Sequence, residues 1–182
     1  YKFLLIVFTS VVSLQAWAEQ NTNPHINTHY QNPDLEQWRG VFEREGRAVW
    51  DHRHQIVKAL NLVPGQRVAD VGTGTGFFAL MIAENVGPEG KVYAVDIAKN
   101  FVDGVLERAN QQGLGNVVGV VNDQKSVRLP KDSVDLVFIS DTYHHFEYPR
   151  TTLQSIHSAL TEQGEVVVID FRFLNRKSTT NK

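Results

Sequence analysis

The chain contains no cysteine. That absence excludes disulfides, thiolate metal sites and thiol nucleophiles. It leaves the redox compartment open, since a cysteine-free chain is harmless in an oxidising one. There is little excess of either charge: 18 Lys and Arg stand against 20 Asp and Glu, a formal net charge of -2. Nothing in that balance points to nucleic acid, and apart from a short tail there is no basic run to do so locally. No apolar run is long enough to cross a membrane comfortably. Internal repeats are missing. So is the G-x-G-x-x-G fingerprint of dinucleotide sites, because Phe77 stands where its third glycine belongs.

What is present begins with a processing pattern. Lys2 precedes a mostly apolar stretch, Phe3 to Leu14, broken only by Thr9, Ser10 and Ser13. Ala16-Trp17-Ala18 then has the small-x-small form of a cleavage site. Residues 1–18 are expected to be an export signal whose removal leaves Glu19 as the new terminus. An exported or periplasmic protein follows, with no stable membrane span after cleavage; the alternatives are an uncleaved anchor or a cytoplasmic chain. No cysteine follows the run, so a lipoprotein anchor is excluded, and no twin arginine precedes it. The sequence begins with Tyr1 rather than Met and is expected to lack its true start.

The 182 residues suffice for one domain with a core. Glu19 to Gln31 is polar and reads as a flexible arm. Asn32-Pro33-Asp34 opens a helix carrying Leu35, Trp38 and Phe42. Residues 19–46 thus form an N-terminal arm and helix. Arg47 to Leu60 is expected to form a second helix. From Pro64-Gly65 onward, strands and helices alternate. Strands are expected at Val68 to Val71, Gly90 to Asp96, Asn116 to Val121, Val134 to Ser140 and Glu165 to Phe171, the last entered by a turn at Gly164. Helices are expected from Phe77, from Ala98 to Gln112, and from Tyr148-Pro149. This alternation predicts an α/β fold, a Rossmann-like doubly wound, mostly parallel sheet with helices on both faces. The domain proper is 47–171, and 172–182 is a patternless tail of a chain expected to be truncated after strand five.

The stretch Asp70-Val71-Gly72-Thr73-Gly74-Thr75-Gly76 is the centre of this arrangement. A buried strand runs into a turn of three alternate glycines and then a helix, as at a nucleotide site on the carboxyl end of a first strand. Asp70 separates the ligands that such a turn holds. A carboxylate two residues before the first glycine repels a diphosphate and attracts a cation. S-adenosylmethionine, with its ammonium and sulfonium, satisfies that requirement.

The same stretch resembles the first motif, D-x-G-x-G-x-G, of the class I S-adenosylmethionine-dependent methyltransferases. Val92-Tyr93-Ala94-Val95-Asp96-Ile97 looks like their second motif, Asn122-Asp123 matches the acidic position after strand three, and Ser133 to Phe138 looks like the entry to their fourth. The family's L-x-P-G-G loop is reduced here to Gly164, with Glu162 and Gln163 in the other two places. The resemblance covers about residues 47 to 171. It implies that Gly72, Thr73, Gly74 and Gly76 surround the methionine part and that Asp70 holds the ammonium. It further implies that Asp96 takes the ribose hydroxyls, that Asp123 takes the adenine amino group, and that Ile97 and Ser140 complete the cofactor set.

The segment Ile139 to Tyr148 follows strand four and holds an acid, two imidazoles and two phenols. Methyl transfer is governed largely by positioning of the acceptor, and a base is needed only where the acceptor loses a proton. Asp141 and His144, with His145 equally available, are the candidates for orienting or deprotonating it. The competing reading packs this segment over the cofactor with its histidines bonded to backbone. No metal is expected, since the spacing of Asp141, His144 and His145 matches no metal pattern. The N-terminal aromatics, His25, His29, Tyr30, Trp38, Phe42 and Trp50, are expected either to line the acceptor pocket or to serve ordinary helix packing. The expected acceptor is a small molecule or lipid-like compound: Leu129 to Asp135 resembles the corresponding piece of quinone-biosynthesis methyltransferases. The alternatives are an NAD(P)-dependent oxidoreductase and a non-catalytic S-adenosylmethionine-binding protein.

Overall fold

The computed structural model describes residues 19–170. The expected export signal, Phe171 and the 172–182 tail lie outside the described residues. Within them a five-stranded sheet has the order β3-β2-β1-β4-β5. Its strands are β1 (Arg67–Val71), β2 (Lys91–Asp96), β3 (Val117–Val121), β4 (Val134–Ser140) and β5 (Leu160–Ile169). Every pairing is parallel. The doubly wound expectation is therefore met, and so is the strand reversal beside β1 that opens a ligand crevice.

Side-chain alternation along the strands explains the two faces. Val68, Val92, Leu136 and Phe138 meet α4 (Phe77–Val86) through Phe78, Ala79, Ile82 and Ala83. The intervening residues Ala69, Val71, Val95, Val137 and Ile139 meet the opposite layer, where α6 (Pro149–Ala159) contributes Ile156 and Ala159. Both parities are apolar because both are covered, which is why the strands read as near-continuous apolar runs. α5 (Lys99–Gln111) buries Phe101, Val102 and Val105 on the stripe that its sequence shows.

Two expectations need correction. The helix expected over Arg47 to Leu60 is two pieces, α2 (Ala48–Asp51) and α3 (Arg53–Ala59), separated at His52 with φ -99° and ψ 9°. Arg53 Nη1 donates to the Trp50 carbonyl at 2.7 Å, and its guanidinium lies 4.0 Å from the Trp50 ring. A side chain thus takes a carbonyl that a continuous helix would have used. The turn expected at Gly164 is instead an excursion inside β5. Pairing jumps from Val134↔Leu160 to Leu136↔Glu165, so β5 begins directly where α6 ends.

The N-terminal arm is pinned across the top of the sheet. α1 (Leu35–Phe42) starts at Asp34, whose carboxylate accepts from Gln37 N at 2.8 Å. Leu35 sits against Gly104 so closely that a Cβ there would lie 2.5 Å from Leu35 Cδ2. At the far end, α6 has no local side-chain cap. Glu19 supplies one from 131 residues away, accepting from Arg150 N at 2.8 Å and Thr151 N at 2.7 Å. A carboxylate suits the positive end of a helix.

Candidate functional site

The glycine turn begins where β1 leaves the sheet. Gly72, Gly74 and Gly76 all have positive φ, at 76°, 52° and 79°. Two of these places also have no room for a side chain. A Cβ on Gly72 would fall 2.1 Å from Thr142 Cγ2, and one on Gly76 would fall 2.3 Å from Val105 Cγ2. Gly72 thus lets the turn touch the segment after β4, while Gly76 lets α4 start tightly against α5.

A cleft opens above this turn with about 990 Å³ of empty space, counting the part open to solvent. Of the residues expected around a cofactor, Asp70, Gly72, Thr73, Gly74, Asp96, Ile97, Asp123 and Ser140 all line it. Gly76 does not; it faces Val105 instead. Among the candidate acid–base residues, Asp141 and His145 line the cleft and His144 does not.

Two buried acids dominate the floor. Asp70 accepts from Thr73 Oγ1 at 2.7 Å. Burial pushes its pKa up to about 7 against the opposing pull of the Thr73 hydroxyl; the nearby Asp96 charge adds to the rise. Asp96 receives Gly74 N on one oxygen and Ala98 N on the other, both at 2.9 Å. Burial pushes its pKa up to about 6 despite those amide bonds. Each Asp96 oxygen keeps acceptor capacity beyond its amide partner.

The segment after β4 is tied to both the arm and the end of β5. Arg47 Nη2 meets Asp141 Oδ2 at 2.7 Å, and Arg47 Nη1 donates to the Phe42 carbonyl at 2.9 Å. Asp141 has φ 49°. Burial raises its pKa, while Arg47 pulls it down. His144 Nδ1 pairs with Asp170 Oδ1 at 2.7 Å. His145 is half-buried with its Nδ1 sequestered and unpartnered. Burial lowers its pKa first, and the neighbouring His144 lowers it further. Ser140 Oγ is likewise buried without a partner. Asp123, after β3, accepts from Lys125 N at 2.8 Å and Ser126 N at 2.9 Å, and pairs with Arg128 at 3.1 Å. Those bonds, the Lys125 amide first, hold its pKa low. Among the described residues, no group of three or more His, Asp or Glu is placed to hold a metal.

The arm contributes side chains to the cleft that the sequence assigned only in part. Tyr30 and Phe42 line it, whereas His25, His29, Trp38 and Trp50 do not. Trp38 backs both from behind, 4.8 Å from Tyr30 and 4.9 Å from Phe42 between ring centroids. Tyr30 meets His145 edge-on at 5.2 Å. Asn27, Arg47, Gln124, Thr142 and Glu147 were given no role by sequence reasoning, yet all five line the cleft. Glu147 and Thr142 fall inside the chemically loaded segment; Asn27 and Arg47 carry no local signal, because their partners lie about a hundred residues away.

Comparison with known proteins agrees with this geometry. Residues 62–182 match the family model described as "Methyltransferase domain". A demethylmenaquinone methyltransferase of Geobacillus kaustophilus is 30% identical over 145 residues, covering 80% of this chain and 59% of that protein. The chain thus spans well under two thirds of that relative's length. Among solved structures, a SAM-dependent methyltransferase from Aquifex aeolicus aligns with TM-score 0.70 at 27% identity, over 80% of this chain and 77% of that one. The cyclase SpnF aligns with TM-score 0.59 at 26% identity, over 69% of this chain and 48% of that one. With its parallel sheet, acid-led glycine turn and matched span, the chain belongs to the methyltransferase domain family, in the class I S-adenosylmethionine-dependent branch.

Proposed function

We propose that this chain binds S-adenosylmethionine across the carboxyl ends of β3, β2, β1 and β4 and passes its methyl group to a small, planar, quinone-like acceptor. Asp70 carries the reading. Its carboxylate is buried at the foot of the glycine turn with the Thr73 hydroxyl and a backbone amide for partners, and no cation among the described residues. A buried carboxylate in such surroundings favours a positively charged ligand and disfavours a diphosphate. The unpartnered Ser140 Oγ offers a further polar contact to a bound molecule.

When bound, the cofactor supplies an electrophilic methyl group with a good leaving group. The chain's own residues hold and orient. Asp96 presents acceptor capacity to vicinal hydroxyls, and Ile97 and Phe101 give apolar wall. Asp141, engaged by Arg47, ties the arm to the segment after β4. His145 stays neutral near pH 7, because burial disfavours its charged form, and as an imidazole lining the cleft it is the candidate to take the proton that a ring acceptor loses. His144, held by Asp170, fixes the backbone beside it. Tyr30, Phe42, Phe77 and Phe146 give the cleft aromatic surface suited to a flat acceptor. The demethylmenaquinone methyltransferase relative supports the same class.

Calorimetric titration with S-adenosylhomocysteine and with NADH tests the cofactor. Tight uptake of the first and none of the second is expected; the reverse would sink the proposal. Incubation with methyl-labelled cofactor and a demethylated naphthoquinol tests the acceptor. A second reading comes from the cyclase SpnF, which shares the fold at 26% identity: a site can keep this architecture for other chemistry. Cofactor binding without label transfer to any member of a quinol panel selects it. The export signal over residues 1–18 is a further part of the proposal, supported by its cationic start, apolar run and Ala16-Trp17-Ala18. Intact mass of protein from a secreting host checks whether the mature chain begins at Glu19.

A further inference from the structure

Glu147 is a buried acid that the mechanism above does not use. It follows the turn after β4, is only 5% exposed and lines the cleft. Its carboxylate is met by three side-chain amides, two from the N-terminal arm and one from the loop after β3. Gln124 Nε2 and Asn27 Nδ2 donate to Oε1 at 2.6 Å and 3.2 Å, and Asn21 Nδ2 donates to Oε2. An ionised carboxylate offers about four acceptor positions. Two are taken on one oxygen and one on the other, so Oε2 keeps acceptor capacity on a residue that lines the cleft. All three donors are neutral. In so dry a setting a further donor is worth more than one in water.

We infer that Glu147 receives the exocyclic amino group of the cofactor's adenine, in place of Asp123. The inference rests on the S-adenosylmethionine reading and adds the residue that reads the base. The direction of the cofactor follows from the strands. Asp70 on β1 marks the methionine end and Asp96 on β2 the ribose, so the base extends toward the end of β3. Gln124 lies there; its backbone carbonyl accepts from Thr152 Oγ1 at 3.0 Å while its side chain holds Glu147. Glu147 therefore reaches the base end although it comes from the far side of β4. Asp123 is the weaker acceptor. Its side chain is 45% exposed, one oxygen closes a turn with Lys125 N and Ser126 N, and the other faces Arg128. Because Asn21 and Asn27 belong to the arm, the same contact couples recognition of the base to the arm's seating.

Titration of the full chain with S-adenosylhomocysteine and S-inosylhomocysteine tests this. The second ligand replaces the amino group with a carbonyl and so sets an acceptor against the carboxylate. Wild-type protein is expected to prefer the adenosyl ligand by about tenfold or more, the value of one hydrogen bond to a charged group. Glu147→Gln presents an amide that can donate to the carbonyl and is expected to abolish or invert that preference. Asp123→Asn is expected to keep it, and this arm decides the matter if Glu147→Gln fails to fold. Retained preference in Glu147→Gln, or its loss in Asp123→Asn, overturns the assignment. Equal affinity of wild type for both ligands overturns the assignment alone, whereas binding of neither overturns the cofactor reading as well.

Discussion

The floor of the cleft and its roof are built in different ways. The floor is local: Asp70, the three glycines and Asp96 lie within 27 residues of chain, and their geometry follows from two adjacent strands and the turn between β1 and α4. The roof is long-range: Glu19 caps a helix 131 residues away, Asn27 holds residues some 120 away, and Arg47 reaches Asp141 across 94. The floor concentrates negative charge in a dry setting and is held by backbone. The roof spends its charges on pairs and amide bonds that fasten one segment to another. One surface is held by neighbouring backbone, the other by contacts between distant segments.

The largest effect should come from the floor. Asp70→Asn removes the buried charge, and affinity for S-adenosylhomocysteine should fall by about a hundredfold, as expected for a broken buried ion pair. The same change should raise the melting temperature of the ligand-free protein at pH 7.5 by several degrees, since ionising a buried acid opposes folding. A variant that loses both affinity and stability would erase the distinction between a receiving floor and a fastening roof.

Next comes Gly76→Ala, which forces a side chain into a left-handed backbone and against Val105. The cost should be about 3 kcal/mol in denaturant unfolding, combining the two penalties. Val105→Ala in that background should recover the steric part only. Smaller is the roof: Arg47→Met leaves Asp141 part-buried without its partner and should cost about 2 kcal/mol. Cofactor affinity should drop less than for Asp70→Asn. An equal drop would mean that the arm belongs to the binding surface proper.

Smallest in its effect on cofactor affinity is the dependence on pH. Asp70 has a folded pKa of about 7, above its unfolded value of 3.8. The folded, ligand-free protein therefore binds the extra proton between those values, and its stability should decline as pH rises from about 4 to 7. Affinity for a cationic ligand should move the opposite way, rising roughly tenfold from pH 6 to pH 8 as the carboxylate ionises. Titrations of melting temperature and of binding across this range check both signs.

The same contrast explains what the sequence disclosed. Strand periodicity, the acid-led glycine turn and the acid closing β2 are encoded within a few residues, so the fold and floor were legible. Gly76 was legible as part of the motif but not in its role, because Val105, which fills the space beside it, is 29 positions on. Asp141 and His144 stood out by chemistry, but their partners Arg47 and Asp170 are distant, and no spacing announces such pairs. The break at His52 depends on Arg53 capturing a carbonyl, a choice that helical periodicity does not register. Glu147 was visible as a letter; its burial and its amide partners exist only once the arm has crossed the sheet.

The double grip of Asp96 has its own consequence. One carboxylate fastens the glycine loop through Gly74 and the start of α5 through Ala98. Burial raises its pKa to about 6, so mild acid should weaken its hold on sugar hydroxyls in a single titration, while the folded state, relieved of a buried charge, becomes more stable rather than less. Recognition and stability should therefore part company at the same proton.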